Sequence, residues 1–254
     1  MLLQLKNVSK IYKLGEVEIH ALREVTIQIN EGEFVAIMGP SGSGKSTFLQ
    51  VASMLSAVTS GQIFLKDKQV ESYDEVEQAG LRNKEIGFVF QQFNLLPRTS
   101  SLDNVELPLL YAKVEASERH RRARAMLEKV GLGDRLQNTP AQLSGGQQQR
   151  VAIARALINN PIIIFADEPT GNLDSKSGED IKNILKDLNK EGKTIIMVTH
   201  EDDVAMIAKR LVFFRDGEIC YDDKFGWNKR REQNLKPEDR KEIESKLKMM
   251  KKKK

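Results

Sequence analysis

Three short stretches of this chain carry side chains whose types and spacing can do chemistry. Gly39-Pro40-Ser41-Gly42-Ser43-Gly44-Lys45-Ser46-Thr47 fits the pattern G-x-x-x-x-G-K-[ST]. Its glycines let backbone N–H groups turn inward to hold phosphate oxygens, and the helix start behind them adds partial positive charge. Lys45 then reaches the terminal phosphates and the Ser46 hydroxyl ligates Mg²⁺. A chance match in 254 residues has a probability on the order of one in a hundred, so an ordinary glycine turn is the weaker reading. Ile162 to Glu168 is an apolar run ending in two carboxylates, at the strand end where open α/β sheets bind their ligands. There Asp167 is placed to hold Mg²⁺ and Glu168 to position and polarise a water, since a loose phosphoryl-transfer transition state asks for orientation more than for a strong base. Two acids could instead cap the next element. Ser144-Gly145-Gly146-Gln147 opens a further helix and makes a second anion-binding N-terminus, although such a turn alone is more often a plain cap.

The elements that must position these groups can be read around them. Leu2 to Tyr12 and Val25 to Ile29 predict a small antiparallel sheet, and Glu33 to Met38 a buried strand followed by the glycine loop and a helix over Lys45 to Met54. Ile63 to Leu65 and Ile86 to Phe90 are strand candidates with a polar segment between them. From Asn94 to about Pro140 helices take over: Ser100 with Asp103 resembles a capping box, and Ser117 to Val130 reads as a helix stopped by Gly131. Alternation then resumes with helix Gln147 to Asn159 (Val151, Ala154 and Ile158 on one face), strand Ile162 to Ala166, helix Lys176 to Asn189, strand Thr194 to Val198, helix Asp203 to Lys209, and a hairpin over Leu211 to Tyr221 around Asp216-Gly217. Apolar strands separated by helices imply an α/β fold with a mostly parallel sheet covered on both faces.

Composition narrows the class. Hydrophobic residues are 40% and charged residues 30% of the chain, which is globular rather than disordered or fibrous. The apolar runs fall far short of the roughly 20 residues that cross a bilayer, and the start Met1 to Asn7 has no secretory pattern. Cys220 stands alone, which fits a reducing compartment. The net charge of +4 is uneven: Asn228 to Lys254 holds 12 Lys or Arg against 5 Asp or Glu, a local +7 that leaves the rest at −3. The basic balance therefore belongs to the tail, and no nucleic-acid partner is expected for the body.

Taken together, the phosphate loop, the acidic strand end and Leu143 to Arg150 resemble the signature set of the ATP-binding cassette (ABC) family over Leu2 to about Tyr221. The resemblance implies a P-loop NTPase fold of the ABC type, with an N-terminal antiparallel β subdomain and an inserted helical subdomain at about 94–145. It implies ATP and Mg²⁺ as cofactors. Residue by residue, it implies that Tyr12 stacks on adenine. Gly39, Ser41, Gly42, Ser43, Gly44, Lys45, Ser46 and Thr47 would hold the phosphates. Gln91 would touch Mg²⁺ and the attacking water and lead into the segment that meets a membrane subunit. Glu168 is the implied catalytic residue that faces the attacking water, and His200 the switch that contacts the γ-phosphate. Ser144, Gly145, Gly146, Gln147 and the Asp174 loop would act across an interface on ATP held by a second copy, so an ATP-sandwiched homodimer is expected. His20 and His120 match nothing in the family pattern.

Asp167-Glu168-Pro169-Thr170-Gly171-Asn172-Leu173-Asp174 and Phe90-Gln91-Gln92-Phe93-Asn94-Leu95-Leu96-Pro97 are similar to the branch of lipoprotein-releasing, macrolide-exporting and cell-division ATPases, the LolD, MacB and FtsE types. That branch implies a peripheral location on the inner face of the cell membrane and a separate permease, met through the Gln91 loop and the helical subdomain. An amino-acid importer ATPase more often reads Ser-Ala-Leu-Asp at the crossing loop. A DNA-repair or chromosome-maintenance ATPase would interrupt the cassette with coiled coils or zinc modules, whereas Leu143 follows Gln91 by only 52 positions here. The expected division is a cassette over 1–227 and a basic tail over 228–254. Two readings stand for the tail. The preferred one is a solvated, partly disordered segment. The other is a helix started at Pro237, with Ile243, Leu247 and Met250 on one face, binding anionic lipid headgroups at ~1 kcal/mol per basic residue.

Overall fold

The computed structural model describes residues 1–228 and 236–252, with the side chains of 249–252 outside the description. The chain divides into two units, Met1–Ser72 with Met197–Lys254, and Tyr73–Ile196.

In the first unit β1 (Leu3–Leu14) and β2 (Val17–Ile29) form an antiparallel hairpin that turns through Gly15 at φ 62°. Its inner half buries Leu3, Leu5, Val8, Ile27 and Ile29, while Leu14 and Val17 at the tip are exposed. The sequence predicts β1 as far as Tyr12 but only the inner part of β2, Val25 to Ile29. The outer half persists because ladder hydrogen bonds are satisfied whether or not the side chains are buried. β4 (Ser60–Leu65) and β5 (Lys68–Gln69) complete the sheet in the order β2-β1-β4-β5.

Beside it β3 (Phe34–Met38), buried at every position, runs parallel to β9 (Arg210–Arg215). β9 turns at Asp216 (φ 49°) and Gly217 (φ 82°) into β10 (Glu218–Asp222), and β11 (Gly226–Trp227) follows, both antiparallel. Two positive φ angles at Asp-Gly are what a tight hairpin turn needs. After β3, α1 (Lys45–Ala52) buries Phe48, Leu49 and Val51. Arg210 is buried with its guanidinium on Asp222 (2.8 and 2.6 Å), Glu33 (2.6 Å) and the Gln28 carbonyl (2.8 Å), so each charge taken from water is answered. Burial would raise the Glu33 carboxyl, but Arg210 and Lys224 hold it below the ordinary range. Burial pushes the Cys220 thiol up to about 12, which excludes it as a nucleophile at neutral pH.

In the second unit β6 (Ile86–Val89) runs parallel to β7 (Ile163–Asp167). Around them stand α2 (Glu75–Glu85), α3 (Ser101–Tyr111), α4 (Ala116–Lys129), α5 (Gly145–Leu157) and α6 (Ser175–Lys190). Leu102, Val105 and Leu109 of α3, Ala123 and Leu127 of α4, and Val151, Ala154 and Ile158 from α5 and its end form one core, the face that periodicity indicates. The polar segment before β6 is α2. It buries none of its residues and so shows no apolar period, yet Asp74 and Glu77 form a capping box at its start. Ser100 caps α3 by accepting from Asp103 N–H (3.0 Å), and its hydroxyl donates to the Asp103 carboxylate (2.6 Å).

β8 (Thr194–Val198) carries the chain back into the first unit. There α7 (Asp202–Ala205) is a single turn rather than the helix to Lys209 that the sequence predicts, because Lys209 N–H donates to Phe34 O (3.0 Å) as the chain enters β9. Over Pro237–Lys252 the reading of the tail as solvated and partly disordered needs correction, while 229–235 and 253–254 lie outside the described residues. Pro237–Lys252 is a helix, α8, and Ile243 is fully buried. Met250 and Lys251 to Lys254 lie outside the described side chains.

Candidate functional site

In the first unit β3 delivers the chain to Gly39 at φ 140°, where a Cβ would lie 2.2 Å from the Phe214 carbonyl oxygen. Gly44 begins α1 at φ 99°, where a Cβ would lie 2.4 Å from Ala21 O. Only glycine fits either place. The β9–β10 turn braces the loop, since Gly217 N–H donates to Ser43 O (3.0 Å) and Arg23 N–H to Gly217 O (2.8 Å). Lys45 Nζ donates to Gly39 O (2.9 Å) and Pro40 O (2.7 Å), which lays the ammonium across the loop. Ser43 Oγ is buried and makes no hydrogen bond, and α1 has neither a side-chain cap nor an acidic residue in its first turn. A buried hydroxyl, an ammonium and uncapped amides on one loop suit an anion. Ser41, Gly42 and Ser46 are exposed and Thr47 is half-buried.

Tyr12 lies on the exposed part of β1, opposite Ile19, with Lys10 Nζ 5.0 Å from its ring centre. His200 is exposed just after β8. Thr199 N–H donates to Ile37 O (3.2 Å), so the His200 segment leaves beside the end of β3 that starts the phosphate loop. Thr199 Oγ1 in turn accepts from Glu201 N–H (3.0 Å).

In the second unit β7 ends at Asp167, and Glu168 follows in the left-handed region at φ 45°. A non-glycine residue there costs about 1 kcal/mol. A Cβ on Gly171 would lie 2.9 Å from Gln91 Nε2 and 3.5 Å from Glu168 Oε2, so these two side chains converge where only a glycine leaves room. Asn172 Nδ2 donates to Gln91 O (3.0 Å), and Gly171 N–H to Glu168 O (3.1 Å). The sequence reading missed two further supports on α5. Gln149, buried, donates from Nε2 to Pro169 O (2.7 Å) and Phe90 O (3.4 Å). Arg155 donates to Phe93 O (2.8 Å) and Asn94 O (2.6 Å), and burial pulls its guanidinium below the ordinary value. The available signal was a glutamine in register with Ala152, Ile153 and Ala156, a second buried stripe of α5 roughly opposite the Val151, Ala154 and Ile158 face.

Ser144, exposed, caps α5: it accepts from Gln147 N–H (3.3 Å), and its own N–H donates to Gln147 Oε1 (3.0 Å). A Cβ on Gly146 would lie 2.6 Å from Ser177 Oγ, and one on Gly145 3.4 Å from Leu173. The α5 tip and the Asp174 turn therefore share one surface. Asp174 caps α6, and the hydrogen bonds from Ser177 hold its carboxyl below the ordinary range.

The protein-family model described as ABC transporter matches residues 22–171. The uncharacterized ABC transporter ATP-binding protein MJ1508 of Methanocaldococcus jannaschii is 55% identical, over 86% of this chain and 97% of its own length. The macrolide export ATP-binding/permease protein MacB of Chlorobium luteolum is 53% identical over 88% of this chain, which spans only 33% of MacB. The dimeric, post-hydrolysis structure of the ATP-binding cassette MJ0796 bound to ADP and Pi superposes with a TM-score of 0.81 at 49% identity, over 87% of this chain and 98% of that one.

Proposed function

The chain belongs to the ABC transporter family, as an ATP-binding subunit of its MacB-like branch, and on that premise we propose that two copies close on two ATP molecules and hydrolyse them to move a separate membrane permease. The observation that carries the proposal is the phosphate loop. Its uncapped helix start, buried Ser43 hydroxyl and Lys45 ammonium are donors arranged for a triphosphate. The likeness to a dimeric cassette bound to ADP and Pi supports the paired state.

In this reading Tyr12 stacks on adenine, and Gly39 to Thr47 hold the phosphates. Ser46, Gln91 and Asp167 offer hard oxygen donors suited to Mg²⁺, and the described residues hold no cluster of three or more His, Cys, Asp or Glu that would bind it without substrate oxygens. When bound, Mg²⁺ neutralises charge on the phosphate oxygens. Glu168 orients the water, Gln91 holds its other side, and His200 contacts the γ-phosphate. Ser144, Gly145, Gly146, Gln147 and the Asp174 turn reach the ATP of the opposite copy. The strained Glu168 backbone supports its role, because such conformations persist where the surroundings over-determine them.

The permease contact is proposed at a groove of about 270 Å³ in the second unit, lined by Phe88, Phe90, Leu107, Pro108, Arg155 and Asn159. It adjoins the Gln91 segment and has the apolar floor and single cation that suit a short helix of a membrane partner. No helix among the described residues is long and apolar enough to cross a membrane, so attachment to the inner face would run through that partner. Lipid contact by the tail would not use Ile243, which is buried. Export, lipoprotein release or mechanical signalling are the work such subunits drive.

Glu168→Gln tests the proposal. It should lower hydrolysis by about 10²-fold or more and make the protein elute as a dimer when ATP is added. A variant that hydrolyses at the parent rate and stays monomeric with ATP would overturn it.

A further inference from the structure

Helix α8 lies outside the phosphate loop, the carboxylate pair and the helix tips, yet it is fastened to the first unit at two informative points. Asp239, Ile243 and Lys246 recur at the spacing of one helix face, with Asp239 and Ile243 buried and Lys246 half-buried. At one end Arg215 donates to Asp239 (2.8 Å). Arg215 immediately precedes the Asp216-Gly217 turn whose N–H holds Ser43 of the phosphate loop. At the other end Lys246 Nζ lies 3.1 Å from Asp202 Oδ1. Asp202 begins α7, two residues after His200.

Asp202 Oδ1 is buried and accepts no hydrogen bond of good geometry, so the Lys246 charge is what answers it. Lys246 is held in place from its own helix by Glu242 (2.8 Å) and lies 5.9 Å from the Phe213 ring centre. Burial alone would pull its ammonium down, but the carboxylates of Glu242 and Asp202 leave it above the ordinary value. Further contact comes from Arg240, 5.4 Å from the Trp227 ring centre. The helix thus spans the brace of the phosphate loop and the root of the His200 segment within one unit.

We propose that α8 is a positioning clasp, with Lys246 fixing Asp202 and through it the His200 segment against the phosphate loop, so that this helix sets the rate of ATP turnover and not the affinity for ATP. The proposal rests on the reading of His200 as the group that contacts the γ-phosphate. A residue acting through another changes the population of the competent arrangement, so its loss shows in kcat with KM little altered.

Steady-state hydrolysis by the full chain tests this in Lys246→Ala, Lys246→Arg, His200→Ala and the Lys246→Ala/His200→Ala double variant, with thermal unfolding measured in parallel. The expected result is a kcat lowered roughly three- to tenfold in Lys246→Ala, KM within about twofold, recovery in Lys246→Arg, and no added loss in the double variant over His200→Ala alone. Lys246→Ala with the parent kcat, or a loss equal in both backgrounds, overturns the clasp. So does a loss that Lys246→Arg does not repair, as does one that follows the melting temperature. An unchanged kcat in His200→Ala alone would overturn the assignment of His200 itself, which separates failure of that reading from failure of the clasp.

Discussion

Two helices of this protein begin with glycine and serine, and they begin differently. α1 opens on Gly44 in the left-handed region, with no side-chain cap and no acidic residue in its first turn. α5 opens on Ser144 in an extended conformation and caps itself, with Ser144 and Gln147 exchanging hydrogen bonds. The first tip leaves its amide donors to a ligand and is held open by backbone braces at Gly39, Ser43 and Gly44. The second satisfies its own donors, and in the proposed pair a phosphate on the other copy would displace that cap. Equivalent-looking sequence therefore makes an open, uncapped helix start in one place and a self-capped one in the other.

The largest expected effect separates the two through their glycines. Gly44→Ala must place a Cβ 2.4 Å from a carbonyl oxygen at φ 99°, whereas Gly145→Ala meets Leu173 at an ordinary 3.4 Å. Gly44→Ala should cost about 2 kcal/mol or more and abolish ATP binding, while Gly145→Ala should fold and bind ATP as the parent does. Calorimetric titration with nucleotide and thermal melts check both, and equal behaviour of the two variants would erase the distinction. A smaller effect is expected from Ser144→Ala. Loss of the cap should cost about 1 kcal/mol, a fall of roughly 2–4 °C in melting temperature, with ATP affinity unchanged and turnover reduced. Weakened nucleotide binding by the isolated chain would instead place Ser144 in its own cradle.

What could be read from the sequence divides along the same physical line. The phosphate loop and the strand ending at Asp167 are local patterns, legible because the chemistry fixes neighbouring residues. The core face of α5 was legible because Val151, Ala154 and Ile158 repeat with the helix. α2 was not, since a helix that buries nothing has no apolar period and only Asp74 and Glu77 announce it. The strain at Glu168 and the convergence of Gln91 on Gly171 follow from tertiary packing that no spacing encodes. The docking of α8 depends on Asp239 and Lys246 finding Arg215 and Asp202, partners remote in the chain. A run of charges alone therefore read as a solvated tail.

Mixing two inactive variants tests the composite site most directly. Lys45→Ala disables the cradle of its own copy, and Ser144→Arg blocks the tip that would reach the other copy, so each homodimer should be nearly inactive. A mixed pair would contain one cradle and one tip that are both intact. The account predicts ATP hydrolysis on mixing that clearly exceeds the sum of the two separate solutions. Hydrolysis that stays at that sum, together with a Ser144→Arg protein that is fully active alone, would contradict it.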